Sequence, residues 1–194
     1  MSIVLLGSTS GSCTLQEQAV AGTSVLTLPV GTGTVVANNV NSAIVSGTAV
    51  ASTSGTSIDF TSIPSWVKRI TVMFNGVSTN GSSAQQVQLG DSGGIETSGY
   101  AGVVGTRGGD TFYTNGFLVN RGNTASSTAS GSLVLTLVSG NIWVGSGTNG
   151  ANASDAPSFF GGTKTLSDTL TQLRITTVNG TDTFDAGSIN ILYE

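Results

Sequence analysis

Histidine is missing altogether from the 194 residues, and there is a single cysteine, Cys13. A serine hydrolase needs a base to take the serine proton and a group to orient that base. Without imidazole the usual base is gone. A lone thiol forms no intrachain disulfide and, with no second thiol or imidazole, anchors no zinc site. Cys13 therefore reads as a small apolar residue. Charge is scarce too: Asp, Glu, Lys and Arg together make up 8%, against roughly a quarter in an average soluble domain. The basic residues Lys68, Arg69, Arg107, Arg121, Lys164 and Arg174 are scattered and the net charge is -4, which leaves no electrostatic footprint for nucleic acid. No apolar run reaches the length of a membrane span. The opening MSIVLLGSTSGSC lacks a basic n-region, and its apolar run is too short for a secretory core. No membrane insertion and no Sec signal are expected.

What is present is glycine, 28 residues of it, with 38% apolar residues and a mean hydropathy of +0.22. Disorder requires low hydrophobicity, so this chain is expected to fold. Its length suits one well-buried core with an appendage. A surface so poor in charge is also suited to burying faces against partners.

No segment sustains a 3.6-residue apolar period. Short runs rich in Val, Ile, Thr and Phe alternate with Gly, Asn and Ser, which is the signature of strands and turns. The clearest runs are 67–76, 84–90, 116–120, 132–139, 141–145, 172–178 and 188–194. Asn-Gly pairs beginning at 75, 80, 115, 149 and 179 supply turn conformations and point to antiparallel pairing. Runs 132–139 and 141–145 read as a hairpin with Trp143 in the core, and 172–194 reads as a final hairpin. Residues 1–57 carry no aromatic side chain and one charge, Glu17. Such a segment buries too little apolar area to offset its ordering entropy and is expected to order against another chain. The fold expected is all-β: an antiparallel β-sandwich body, 58–194, of about eight to ten strands with an extended N-terminal β arm, 1–57.

Three stretches invite chemistry. GDSGG, 90–94, has the letters that surround the nucleophile of trypsin-like proteases. Its plainer reading is a turn in which Asp91 caps backbone N–H groups and Gly93-Gly94 adopts conformations closed to other residues. Asp182 and Asp185 in TDTFDAG could form a carboxylate pair, though Asp182 follows the Asn179-Gly180 turn. GTNGANASD, 147–155, is rich in oxygen donors but has one carboxylate and no calcium-loop pattern. No catalytic residue, metal or cofactor is expected.

Two parts of the chain carry a resemblance. CTLQEQAVAGTSVLTLPVGTGTVVA, 13–37, resembles a segment of bacteriophage and prophage structural proteins that precedes tail-fibre-like modules. The body is similar to a domain that closes many phage tail fibre and virion proteins, through IDFTSIPSWVKRITVMFNGVSTNGSS, QLGDSGGIETSGY and RITTVNGTDTFDAGSINILYE. The resemblance implies a jelly-roll-like homotrimer made in the host cytoplasm and built into a virion. Its partners would be other phage virion proteins of the tail, the baseplate or the major capsid protein. A tail-fibre-like role in host attachment leads; a capsid decoration or cement protein is the alternative, and a hydrolase using Ser92 or Asp182 and Asp185 is remote. The segment 96–116 is expected to be a long loop, where binding sites tend to reside. Within the wider loop 91–116, Tyr100, Arg107, Asp110, Phe112 and Tyr113 make a candidate surface for a host surface glycan, since aromatic faces stack on sugars. The alternative is that Tyr100, Phe112 and Tyr113 cover the core or a subunit interface.

Overall fold

Alternating residues such as Ile70, Val72 and Phe74 can share a buried face only if the backbone is extended, and that pattern generates the architecture. The structure, a computed structural model, describes residues 2–6, 12–16, 44–122, 124, 125, 127–151 and 157–194. It divides into two units, Met1–Ala37 and Asn38–Glu194. In the first, β1 (Ser2–Leu6) pairs antiparallel with β2 (Ser12–Gln16), Ser2 opposite Gln16. Residues 17–43, including most of the CTLQ segment, lie outside the described residues.

The second unit is all-β and antiparallel throughout; among the described residues there is no helix. Its strands are β3 (Val45–Ser46), β4 (Val50–Ala51), β5 (Ser57–Phe60), β6 (Arg69–Thr79), β7 (Gln85–Asp91), β8 (Gly94–Ile95), β9 (Tyr100–Thr106) and β10 (Gly109–Tyr113). They continue as β11 (Phe117–Leu118), β12 (Ala129–Ser139), β13 (Ile142–Ala151), β14 (Ser158–Thr165), β15 (Gln172–Thr177) and β16 (Phe184–Tyr193). A nine-stranded sheet runs β10-β9-β14-β13-β12-β6-β16-β3, with β4 also on β16. A five-stranded sheet runs β11-β7-β15-β5, with β8 beside β7. Inward-facing Ile70, Val72, Leu133, Leu135, Val87, Leu89, Leu173 and Ile175 of the two sheets form one core, giving a β-sandwich.

The hairpin of β12 and β13 turns at Gly140-Asn141, and Trp143 is buried as expected. Other expectations are corrected. The segment 96–116 is no loop: it contains β9 and β10, which pair from Gly109 opposite Thr106 to Tyr113 opposite Gly102. This is one reason the sheets hold more strands than expected. Residues 172–194 are no hairpin either, because β15 lies between β7 and β5 while β16 lies between β6 and β3. The Asn179-Gly180 turn carries the chain from one sheet to the other. Asn149-Gly150 lies inside β13, and Gly76 sits within β6 at a positive φ of 61°. Both pairs are strand residues, so neither turns a hairpin. β3 and β4, drawn from residues 1–57, lie on the edge of the large sheet.

Glycines on the inner face of the large sheet decide where the rings go. Tyr113, Gly102, Gly162 and Gly145 lie side by side across β10, β9, β14 and β13. A Cβ on Gly102 would meet the Tyr113 ring, and one on Gly145 would come within 3.0 Å of Phe117. The row is a trough that seats aromatic rings. The Tyr113 hydroxyl spans it to donate to the Gly161 carbonyl at 3.1 Å.

Candidate functional site

GDSGG folds as a two-residue turn between β7 and β8, with Asp91 opposite Gly94. Asp91 Oδ1 accepts the Gly93 N–H at 2.7 Å, and Gly94 has φ of 125°. Of the two glycines only Gly94 has a positive φ. Ser92 is exposed on this turn. The ammonium of the buried Lys164 pairs with Glu96, 5.3 Å from the centre of the Tyr100 ring.

Around that pair lies a polar clasp between the sheets. Ser167, which follows β14, places its Oγ 2.6 Å from Asp91 Oδ2 and 2.8 Å from Glu96 Oε1, and its N–H donates to the same Glu96 oxygen. The Tyr100 hydroxyl accepts the Leu89 N–H at 2.7 Å and donates to the Glu96 carbonyl at 2.9 Å. The Ser167 hydroxyl and then the Gly93 N–H hold the Asp91 carboxyl below its usual value. Partial burial pushes Glu96 up, but Lys164 and the two Ser167 donors outweigh it and leave Glu96 low as well. Folded-state values below the unfolded ones stabilise the fold above the unfolded values, and that stability disappears as pH falls through the folded ones. Thermal melts should therefore stay level down to about pH 5 and fall below about pH 4, near the values of carboxylates in an unfolded chain. Asp91→Asn should flatten the acid limb; a melting temperature already falling between neutrality and pH 5 would contradict this.

The second carboxylate pair is engaged by two neighbouring side chains and one backbone N–H. Asp182 accepts from Asn179 Nδ2 at 2.6 Å and from the Ser83 N–H at 2.9 Å, contacts that hold it below its usual value in that order. Asp185 accepts from the Ser78 hydroxyl at an irregularity of β16. Residues 152–155 of GTNGANASD lie outside the described residues. Among the described residues no group of three or more His, Cys, Asp or Glu is placed to hold a metal.

The five glycan candidates separate by the alternation of the β9–β10 hairpin. Tyr100 and Tyr113 point inward and pack edge-on against Phe117, at 5.4 and 6.4 Å. Arg107, in the turn, and Asp110 are exposed, and Phe112 is 84% exposed on the outer face. Phe112 lies opposite Val103, which lies opposite Gly161. One row away Phe159, 60% exposed, lays its ring over Gly105. Val103, Phe159 and Gly161 bound a hollow of about 390 Å³. The outer face thus carries two exposed rings among glycines, hydroxyls and valines.

A second concavity corresponds to no motif in the sequence. On the open face of the small sheet, Gln88 lies opposite Arg174 and Gln86 opposite Thr176. These four floor a polar bowl of about 370 Å³, rimmed by Thr56, Thr97, Asn115 and Val178. Gln88 Nε2 donates to the Asn115 carbonyl at 2.8 Å, and Arg174 forks onto both oxygens of Asp59 at 2.8 Å. Gln86 is buried and its Oε1 has no donor among the described residues. A buried acceptor left unpaired costs about 1–3 kcal/mol. A neighbouring cleft of about 310 Å³, lined by Phe112, Leu118 and Arg121, shares Gln86, Asn115 and Val178 with the bowl. The alternation in AQQVQL and QLRITT marks these residues as one polar sheet face. That it is walled depends on Thr97 and Asn115, which strand periodicity does not reveal.

Scans against protein-family models, curated proteins and solved structures find no match to this chain. The class defined by the geometry is an antiparallel β-sandwich, with the exposed rings of Phe112 and Phe159 on the outer face of one sheet and a polar bowl on the other.

Proposed function

We propose that this chain is a non-enzymatic structural protein of a bacteriophage virion, tail-fibre-like. Residues 1–57 attach it to a tail, baseplate or capsid protein, and its jelly-roll-like body meets the host surface. The sequence blocks that resemble tail-fibre closing domains support this reading; they supply β5, β6, β15 and β16, which knit both sheets together. The observation that carries it is the outer face bearing Phe112 and Phe159, an apolar surface suited to close contact between copies in a homotrimer. Copy number in purified particles, measured by quantitative mass spectrometry, tests the role. A few dozen chains per particle supports a fibre, hundreds would replace it with capsid decoration, and absence from the particle would overturn both.

The oligomer has its own test. Sedimentation should show a trimer at micromolar concentration, and Phe112→Asp with Phe159→Asp should give a folded monomer, because each carboxylate would have to be desolvated at the contact. A wild-type monomer would overturn the trimer. A trimer that survives both changes would move the contact to another face.

A further inference from the structure

We infer that the polar bowl on the small sheet is a binding site for a neutral oligosaccharide. Its floor of two carboxamides, a guanidinium and a hydroxyl is spaced by the register of β7 and β15. The Thr176 hydroxyl donates to the Thr56 carbonyl and Gln88 Nε2 to that of Asn115, so the floor presents chiefly acceptor oxygens and the rim residues Thr97 and Asn115 add donors. Polyhydroxylated rings need that mixture, since each hydroxyl both donates and accepts.

Charge argues for a neutral ligand. The cation of the floor, Arg174, is already taken up by Asp59 in a two-pronged pair. An anionic sugar would have to compete with that carboxylate, and a cationic one would meet the guanidinium.

Gln86, in the wall shared by the bowl and the adjoining cleft, has an Oε1 with no donor among the described residues. Its Nε2 makes only a 3.4 Å contact with the Thr177 carbonyl, so little holds the amide in place. Terminal amide torsions are broad. The Gln86 side-chain carbonyl faces Gly116, where an added Cβ would lie 2.8 Å away, and a ligand hydroxyl pairs with it once the amide turns about that torsion. The adjoining cleft extends the site to Arg121, giving a longer chain of sugars a further donor.

The identity of the natural saccharide rests on the host-contact reading above, whereas binding itself rests on the bowl alone. The full chain, labelled with 15N, is titrated to millimolar concentration with neutral hexasaccharides of glucose, galactose and N-acetylglucosamine. At least one should shift the side-chain amide signals of Gln86, Gln88 and Asn115. Gln86→Met should weaken that binding about tenfold, the effect of losing one hydrogen bond to a ligand, while melting at or above the wild-type temperature because an unpaired acceptor is removed. Thr176→Val, which keeps the shape, should weaken it similarly. No shifts with any of the three, shifts confined to the Phe159 face, or unchanged affinity in both variants would overturn the proposal. Binding by a chain that particle analysis fails to find in a virion would sink the virion reading and leave the bowl standing.

Discussion

Phe117→Ala should lower the unfolding free energy by about 3–5 kcal/mol, the range for removing a large ring from a well-packed core. The ring is fully buried, opposite Val87 on the small sheet. It meets Tyr100 nearly at right angles, at 88°, and Tyr113 at 66°. Its edge also fills the space over Gly145, where a Cβ would lie 3.0 Å away. One side chain of the small sheet thus plugs the glycine trough of the large one. Backbone glycines have no side chains that can lean in, so the void would collapse poorly. Urea unfolding followed through Trp66 and Trp143 would show a lower midpoint at an unchanged slope. Phe117→Leu, which retains most of the volume, should cost less than half as much and covers the case in which the alanine variant does not fold. A loss under about 1 kcal/mol for alanine, the level of a surface change, would show that the plug carries no such role.

Gly187→Ala should cost about 2–5 kcal/mol, from left-handed backbone strain and overpacking together. Gly187 has φ of 93° at an irregularity of β16. Its Cβ would lie 2.4 Å from the Gly76 carbonyl oxygen and 2.5 Å from that carbon, both backbone atoms that cannot rotate aside. The Gly187 carbonyl also receives the Ser52 N–H at 2.9 Å, so a shifted bulge would loosen the strap of residues beside β4. Gly76 is the control: its φ is 61°, but a Cβ there has nothing within 4 Å. Gly76→Ala should cost only the strain, about 1–2 kcal/mol. Equal melting temperatures for the two variants would refute the steric part of the argument.

These two positions mark where the sequence was legible and where it was not. RITVMF, SLVLTLV and SINILY announce strands because large apolar residues recur at every second position, and β6, β12 and β16 follow. YAGVVGT and SFFGGTKT do not, because glycine ordinarily signals a turn. In β9 and β14 those glycines make room for rings from neighbouring strands: Tyr113 over Gly102, Phe159 over Gly105. That pairing exists only after the strands are in register, so no local pattern contains it. The same applies to the binding candidates. Alternation separates Phe112 from Tyr113, yet only the assignment of β10 to the large sheet says which of them meets solvent. GDSGG is legible as a turn because Asp91 and Gly94 act locally, whereas the bond of Asp91 to Ser167 comes from 76 residues away. The bowl needed both: local alternation for its floor and distant loops for its rim.

The crossing at Asn179-Gly180 also makes the long-range pairing of both sheets depend on one segment. β15 fills the gap between β7 and β5, and β16 joins β6 to β3 and β4. Asn75 on β6 and its neighbour Ser188 on β16 are 113 positions apart in the chain. Closing so long a loop is entropically slow, and until it closes β7 lacks its main partner while β6 is paired on one side only. During synthesis the earlier strands must therefore wait with open edges, and a ribosome pausing before residue 172 would expose them to each other on neighbouring chains. β15 and β16 therefore tie the two sheets together through one short segment of chain.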